Sequence, residues 1–200
     1  ADFGNDALRR YGLSELDNIA TEHQQAILRY SFDVTANLSV TATAYNNTHQ
    51  RNWFKTEGID LDGSVNADSF SGSSWASVVD AVNLGKGLGT YTHGELQGIL
   101  DGNIDTAAGS VQLRSNNREY YSRGLQFGAN WDGSLGGALH SVSVGLRFHE
   151  DEEDRFQRND TYSQVAGKLG LDSLGTEGNA GNQVQSAEAF AFYIRDEISF

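Results

Sequence analysis

Not one of the 200 residues is proline. At an average usage of about 5% a chain of this length would carry roughly ten. Proline is the residue that cannot donate its backbone N–H to a strand ladder, so its exclusion suits a chain that is paired strand over most of its length. Glycine, with 23 residues, exceeds the usual share of about 7% and supplies turns and close strand approaches. The fold class these two facts point to is all-β.

Period-two alternation supports that reading in five segments, because alternate side chains on a strand share a face. Ala26, Leu28, Tyr30, Phe32 and Val34 alternate with Gln25, Arg29, Ser31 and Asp33. Leu38, Val40, Ala42 and Ala44 oppose Ser39, Thr41, Thr43 and Tyr45. Leu125, Phe127, Ala129 and Trp131 oppose Ser122, Gly124, Gln126, Gly128 and Asn130. The cleanest segment sets Val142, Val144, Leu146 and Phe148 against Ser141, Ser143, Gly145, Arg147 and His149. The last sets Phe190, Phe192, Ile194 and Ile198 against Ala189, Ala191, Tyr193 and Arg195. The expected antiparallel strands are 24–34, 38–57, 111–132, 139–150 and 186–199. Their polar faces carry small hydrogen-bonding groups and isolated charges, a mixture that suits a watery lumen.

The connections alternate in length. A tight link around Thr35 to Asn37 joins the first two strands, and a Gly-rich turn from Asp132 to Gly137 joins the next two. Between them, and again between residues 150 and 186, lie long polar stretches. Compact soluble domains rarely hold such connections, whereas outer-membrane barrels pair short periplasmic turns with long outside loops. On this reading Phe32, Asn37 and Trp131 lie near the periplasmic side, and Trp53, Arg118, Asp151 and Arg155 outside. Tyr30, Phe32 and Trp131 then fall where an interfacial aromatic girdle belongs. The long stretches contain two short helical patterns, Ser74 to Val82 with Ser73 or Ser74 as N-cap, and Glu95 to Leu100. Neither is long enough to be stable alone.

No apolar run approaches the roughly 18 residues of a membrane-spanning helix, and the chain opens at Ala1 without a charged-then-apolar leader. The absence of Met indicates a processed product or an excised segment, and the absence of Cys removes disulfides and thiolate metal sites. A formal charge of -13 opposes nucleic-acid binding, which requires a basic face. The acidic run Glu150 to Asp154 reads as a solvated strand end or loop, with divalent-cation binding as the sharper alternative. Asp60, Asp62 and Asp68 around Gly63 hint at a calcium loop, but the bidentate Glu is missing, and a polar loop is favoured. Gly85, Gly87 and Gly89 around Lys86 match no phosphate-binding loop. His23, His49 and His93 show no zinc spacing, and no nucleophile elbow occurs. No enzyme activity and no cofactor are therefore expected.

What remains is a set of Arg and aromatic residues in or beside the loops: Arg51, Trp53, Arg114, Arg118, Tyr120, Tyr121, Arg155 and Arg158. Two readings are open for them. Guanidinium groups facing a lumen bind the carboxylates of an anionic iron chelate in a bidentate way. Alternatively they pair with the many nearby Asp and Glu residues.

Five stretches carry a resemblance: Arg9 to Gln25, Thr41 to Phe54 (TATAYNNTHQRNWF), Asn117 to Gln126 (NREYYSRGLQ), Val144 to Tyr162 (VGLRFHEDEEDRFQRNDTY) and Ser186 to Ile198 (SAEAFAFYIRDEI). Together the chain resembles the barrel region of TonB-dependent outer-membrane receptors of the ferric-citrate and siderophore type, with Val144 to Tyr162 the most specific stretch. The resemblance implies a transmembrane β-barrel of about 22 strands closed by an N-terminal plug. It implies residence in the bacterial outer membrane, contact with its lipid, and import of an iron chelate with energy from a TonB-type partner reached through the plug. Five strands cannot close a membrane barrel, the smallest of which has about eight. Residues 1–200 are thus expected to be a partial barrel without its plug. The ending Phe192, Ile194, Ile198, Phe200 is similar to the assembly signal of barrel proteins, but Asp196 interrupts it and the resemblance places this strand inside the barrel. The reading from a different class is a soluble β-sandwich binding or adhesive module, which would pack its apolar faces together in a dry core.

Overall fold

The computed structural model describes residues 11–63 and 66–200. The beginning of the Arg9 to Gln25 stretch lies outside these residues. Most of the described chain is antiparallel strand: β1 (Asn18–Thr35), β2 (Leu38–Ile59), β3 (Ser73–Ser74), β4 (Val111–Leu135), β5 (Ala138–Val165), β6 (Lys168–Ser173) and β7 (Gly181–Ser199), with two helices, α1 (Trp75–Asn83) and α2 (His93–Leu100), before β4. The chain divides into two compact units. One is drawn from residues up to 20, 51–118 and 155–183, the other from 21–50, 119–154 and 184–200.

The first unit has a dry core. Val78 and Val82 lie one turn apart on α1, and Leu96, Ile99 and Leu100 occupy the corresponding stripe of α2. They pack with Leu13, Ile59, Val111 and Leu113 into one buried cluster. Each helix is too short to form by itself, and both are capped. Ser74 accepts from the Ser77 amide at 3.2 Å. Thr92 and Glu95 form a reciprocal capping box, with the Thr92 amide donating to Glu95 at 2.8 Å and the Glu95 amide to the Thr92 hydroxyl at 3.3 Å. The chain after α2 is held by Gln164, which is fully buried. Its Nε2 donates to the carbonyls of Ile99 and Ile104 at 2.9 and 2.8 Å.

This unit departs from the expected strands: the two-residue β3 was not expected, β7 begins at Gly181 rather than at 186, and the largest difference is in β5. The strand expected at 139–150 continues to Val165, and the stretch expected as loop up to 186 contains the β5–β6 hairpin. Its turn, Ala166–Gly167, has both residues at positive φ, 50° and 74°. Such a two-residue turn matches the twist of a hairpin but prefers Asn-Gly. Asp105 accepts from the Ala166 amide at 2.7 Å and so fixes the unfavourable conformation.

The second unit is a sheet in the order β1-β2-β4-β5-β7. Its β4–β5 turn places Gly136 and Gly137 at φ 63° and 90°. Among its described residues, Ala138 is the one buried hydrophobic side chain. One face carries Leu28, Phe32, Leu125, Phe127, Leu146, Phe148, Phe190, Phe192 and Ile194, all exposed, Leu28 to 73% and Ile194 to 66%. Phe148 and Phe190 touch across β5 and β7 with ring centroids 5.0 Å apart. The other face is polar. Ser31 meets Thr41 at 3.1 Å, and Arg29 donates to the Thr43 hydroxyl at 3.3 Å, both across β1 and β2.

Two glycines on the polar face are seats for tyrosine rings. A Cβ on Gly145 would lie 2.1 Å from the Tyr193 ring, and one on Gly124 would lie 2.5 Å from the Tyr45 hydroxyl and 2.3 Å from the Phe148 carbonyl. At Gly128 the nearest atom would be 3.9 Å away. Overpacking of this kind costs about 1–3 kcal/mol. Gly124→Ala is expected to lower the midpoint of heat unfolding, followed by loss of β-sheet circular dichroism, while Gly128→Ala leaves it unchanged. Equal midpoints for the two variants would contradict the seating.

Candidate functional site

The eight Arg and aromatic residues singled out from sequence do not form one site. Six fall in the first unit, and most of these are engaged within it. Arg114 pairs with Glu57 at 2.8 Å and donates to Asn159 at 2.8 Å. Arg158 meets Asp160 through Nε at 2.9 Å and Nη2 at 3.2 Å. Arg118 donates to Asn116 at 3.1 Å and Arg155 to Gln157 at 2.7 Å. Trp53 is capped by the Lys55 ammonium, 5.1 Å from the ring centroid. The Arg51 Nε is cut off from solvent without a hydrogen-bond partner.

The remaining two, Tyr120 and Tyr121, belong to the second unit and, as consecutive strand residues, to opposite faces. Tyr120 stacks on His49 with centroids 5.6 Å apart, and His23 meets His49 edge-on at 5.9 Å. His49 and Tyr120 line a concavity of about 520 Å³ together with Asn47, Asp151 and Glu153. Tyr121 lies past the last bulky apolar residues of its face, Leu125 and Phe148. It donates to Glu150 at 2.6 Å, and the Arg123 guanidinium covers its ring at 4.7 Å. The bond to Glu150, with burial and the charges of Glu150 and Glu152, pushes the phenol up to about 12. Tyr121 therefore stays a donor at any physiological pH. Arg123 and Tyr121 together hold the Glu150 carboxyl below its ordinary range.

The acidic run is therefore strand, with its side chains divided between two faces. Glu150 and Glu152 accept from Tyr121, whereas Asp151 Oδ2 lies 3.7 Å from His149 Nε2. Among the described residues no group of three or more His, Asp or Glu side chains is placed to hold a metal ion. Asp68 acts instead as a clasp. Its carboxylate accepts from the Thr176 amide at 3.0 Å, the Thr176 hydroxyl at 2.7 Å and the Asn179 amide at 2.6 Å.

The arrangement that sequence reading did not assemble lies on the polar face of the second unit. Arg147 donates from Nε and Nη2 to the Tyr45 oxygen at 3.3 and 3.2 Å. With that oxygen accepting, the hydroxyl proton is directed at His149 Nδ1, 2.6 Å away. The ring proton of neutral His149 is thereby assigned to Nε2, on the Asp151 side. Arg147 also lines a concavity of about 310 Å³ with Arg29, Thr41, Thr43, Gln126 and Tyr193. Alternation had put Arg29, Tyr45, Arg147, His149 and Tyr193 on polar faces. Their convergence from four strands depends on register, which the sequence does not display.

No protein-family model and no curated protein matches the chain.

The Asp68 clasp yields a pH dependence. Hydrogen bonds from Thr176 and Asn179 hold the carboxyl below its usual value, about 3.9 when unfolded. A depressed folded pKa contributes stability that is present above about pH 4 and is lost as pH falls through the folded value. Pepsin is therefore expected to spare the 174–179 loop near pH 4 and to cut it as the pH approaches 2, while Asp68→Asn is cut already near pH 4. Equal cutting of the two proteins near pH 4 would contradict the clasp.

Proposed function

We propose that this chain is part of the wall of a transmembrane β-barrel in a bacterial outer membrane, from a receptor that imports an iron chelate with energy from a TonB-type partner. The observation that carries the barrel reading is the exposed apolar face of the second unit, backed strand for strand by a polar face. Leaving each large apolar side chain in water forgoes about 1.5–3 kcal/mol. Against a total stability of about 5–15 kcal/mol, nine such side chains on one face are a prohibitive loss in water and a gain in lipid. Strands of outer-membrane barrels have this two-sided pattern, apolar toward lipid and polar toward the lumen. The free edges of β1 and β7 would be closed by further strands of a larger barrel.

The import reading is supported by the resemblance of Val144 to Tyr162 and the other stretches to siderophore receptors. A β-sandwich would require a second sheet over the apolar face, and the buried cluster of the described residues belongs to the other unit.

Deletion of the gene under iron limitation is expected to abolish growth on one ferric chelate and to lower uptake of that chelate, supplied with radioiron, to background. Unchanged growth and uptake across a panel of ferric chelates would overturn the import reading.

A further inference from the structure

We propose that Arg29 and Arg147 form a carboxylate-binding site on the polar face of the second unit. The inference rests on the reading above, in which this face lines an aqueous lumen. It deepens that reading by naming the chemistry the lumen wall recognises at this point.

Three observations carry it. First, acidic residues outnumber basic ones 27 to 14 in this chain, and other guanidiniums find them: Arg114 with Glu57, Arg123 with Glu150, Arg158 with Asp160, Arg195 with Glu197. Among the described residues Arg29 and Arg147 meet no carboxylate. Arg29 donates to Thr43, and Arg147 to Tyr45 with His149 beside it. Second, both sit opposite the apolar face, at the level of Leu28 and Leu146. Charged groups at the depth of a membrane are retained where they pair or line a water-filled path. Third, the two line one concavity of about 310 Å³, near the lower end of the range for small-molecule sites. Thr41, Thr43, Gln126 and Tyr193 surround them with further hydrogen-bonding groups.

Arg147 is also held in place. Its Nε and one Nη bond the Tyr45 oxygen, and Tyr45 is seated over Gly124, where no larger residue fits. One guanidinium nitrogen, Nη1, keeps its donors available. The planar fork of a guanidinium matches the two oxygens of a carboxylate better than an ammonium group does. The carboxylate comes from one of two sources, a small polycarboxylate passing through the lumen or an acidic side chain of a polypeptide segment seated there.

The test is arginine modification by phenylglyoxal in the full-length protein in detergent, mapped by mass spectrometry, with iron-free citrate as the probe. If the site is open to small molecules, Arg29 and Arg147 are modified, and saturating citrate slows both about tenfold, the factor that roughly 90% occupancy gives. Arg147→Gln then removes citrate protection at Arg29, and Arg147→Lys retains part of it. If a protein carboxylate occupies the site, both arginines resist modification at low salt, and about 1 M NaCl, which screens ion pairs, releases them. Modification that citrate does not slow, or resistance that salt does not relieve, overturns the proposal. Neither readout uses iron or growth, so a failed uptake experiment and a failed protection experiment are separate results.

Discussion

The rest of this structure depends on a sheet whose apolar side chains, among the described residues, are exposed. A sheet that buries one face on a core reads as apolar-in and polar-out, and in water that arrangement is stable only with the apolar side covered. Here the second unit turns Leu28, Phe127, Phe148, Phe190 and Ile194 outward and collects Arg29, Thr43, Tyr45, Arg147 and His149 on the opposite face. The hydrogen-bonded ladder accounts for the backbone, and the exposed apolar side chains opposite a polar face are the observation on which the proposed membrane setting rests. The tyrosine seats at Gly124 and Gly145 belong to the same design. They let Tyr45 and Tyr193 approach the polar face closely, where a Cβ would collide with them.

The first unit obeys ordinary globular physics. Short capped helices contribute i, i+3 and i+4 apolar residues to a common core with Ile59, Val111 and Leu113, and buried polar groups such as Gln164 pin the intervening chain. Strands β2, β4 and β5 contribute residues to both units. Along each of them the side-chain pattern changes from apolar–polar alternation to a mixture of core residues and paired charges. The change of pattern marks a change of surroundings within one continuous strand.

Much of the strand framework was legible because alternation is a local signal. The segments around Leu38 to Ala44 and Val142 to Phe148 declared both their conformation and their two faces, and Ser74 declared the start of α1, whereas α2, expected from Glu95, begins at His93 behind the Thr92 cap. The extension of β5 to Val165 was not legible. Between Arg155 and Asp160 every side chain except Phe156 is charged or an amide, so no period-two signal survives, and the hairpin turn uses Ala166 in place of the usual Asn. The site was legible only as a supply of parts. The loop arginines were conspicuous in sequence, yet Arg114 and Arg158 are neutralised by Glu57 and Asp160. The convergence of Arg29, Tyr45 and Arg147 required the register of four strands.

The central claim, that the apolar face of the second unit is a lipid face, is tested most directly by spin labels placed in the full-length protein in bilayers. Labels at Leu125, Phe127, Leu146, Phe148 and Phe190 are predicted to collide with dissolved oxygen, which concentrates in lipid. Labels at Gln126, Gly128, Ser143 and Ala191 are predicted to collide with a water-soluble nickel chelate. An alternation of this kind along β4, β5 and β7 is the expected result. Nickel accessibility at the five apolar positions, or protection of them from both reagents as in a dry protein core, would contradict the account.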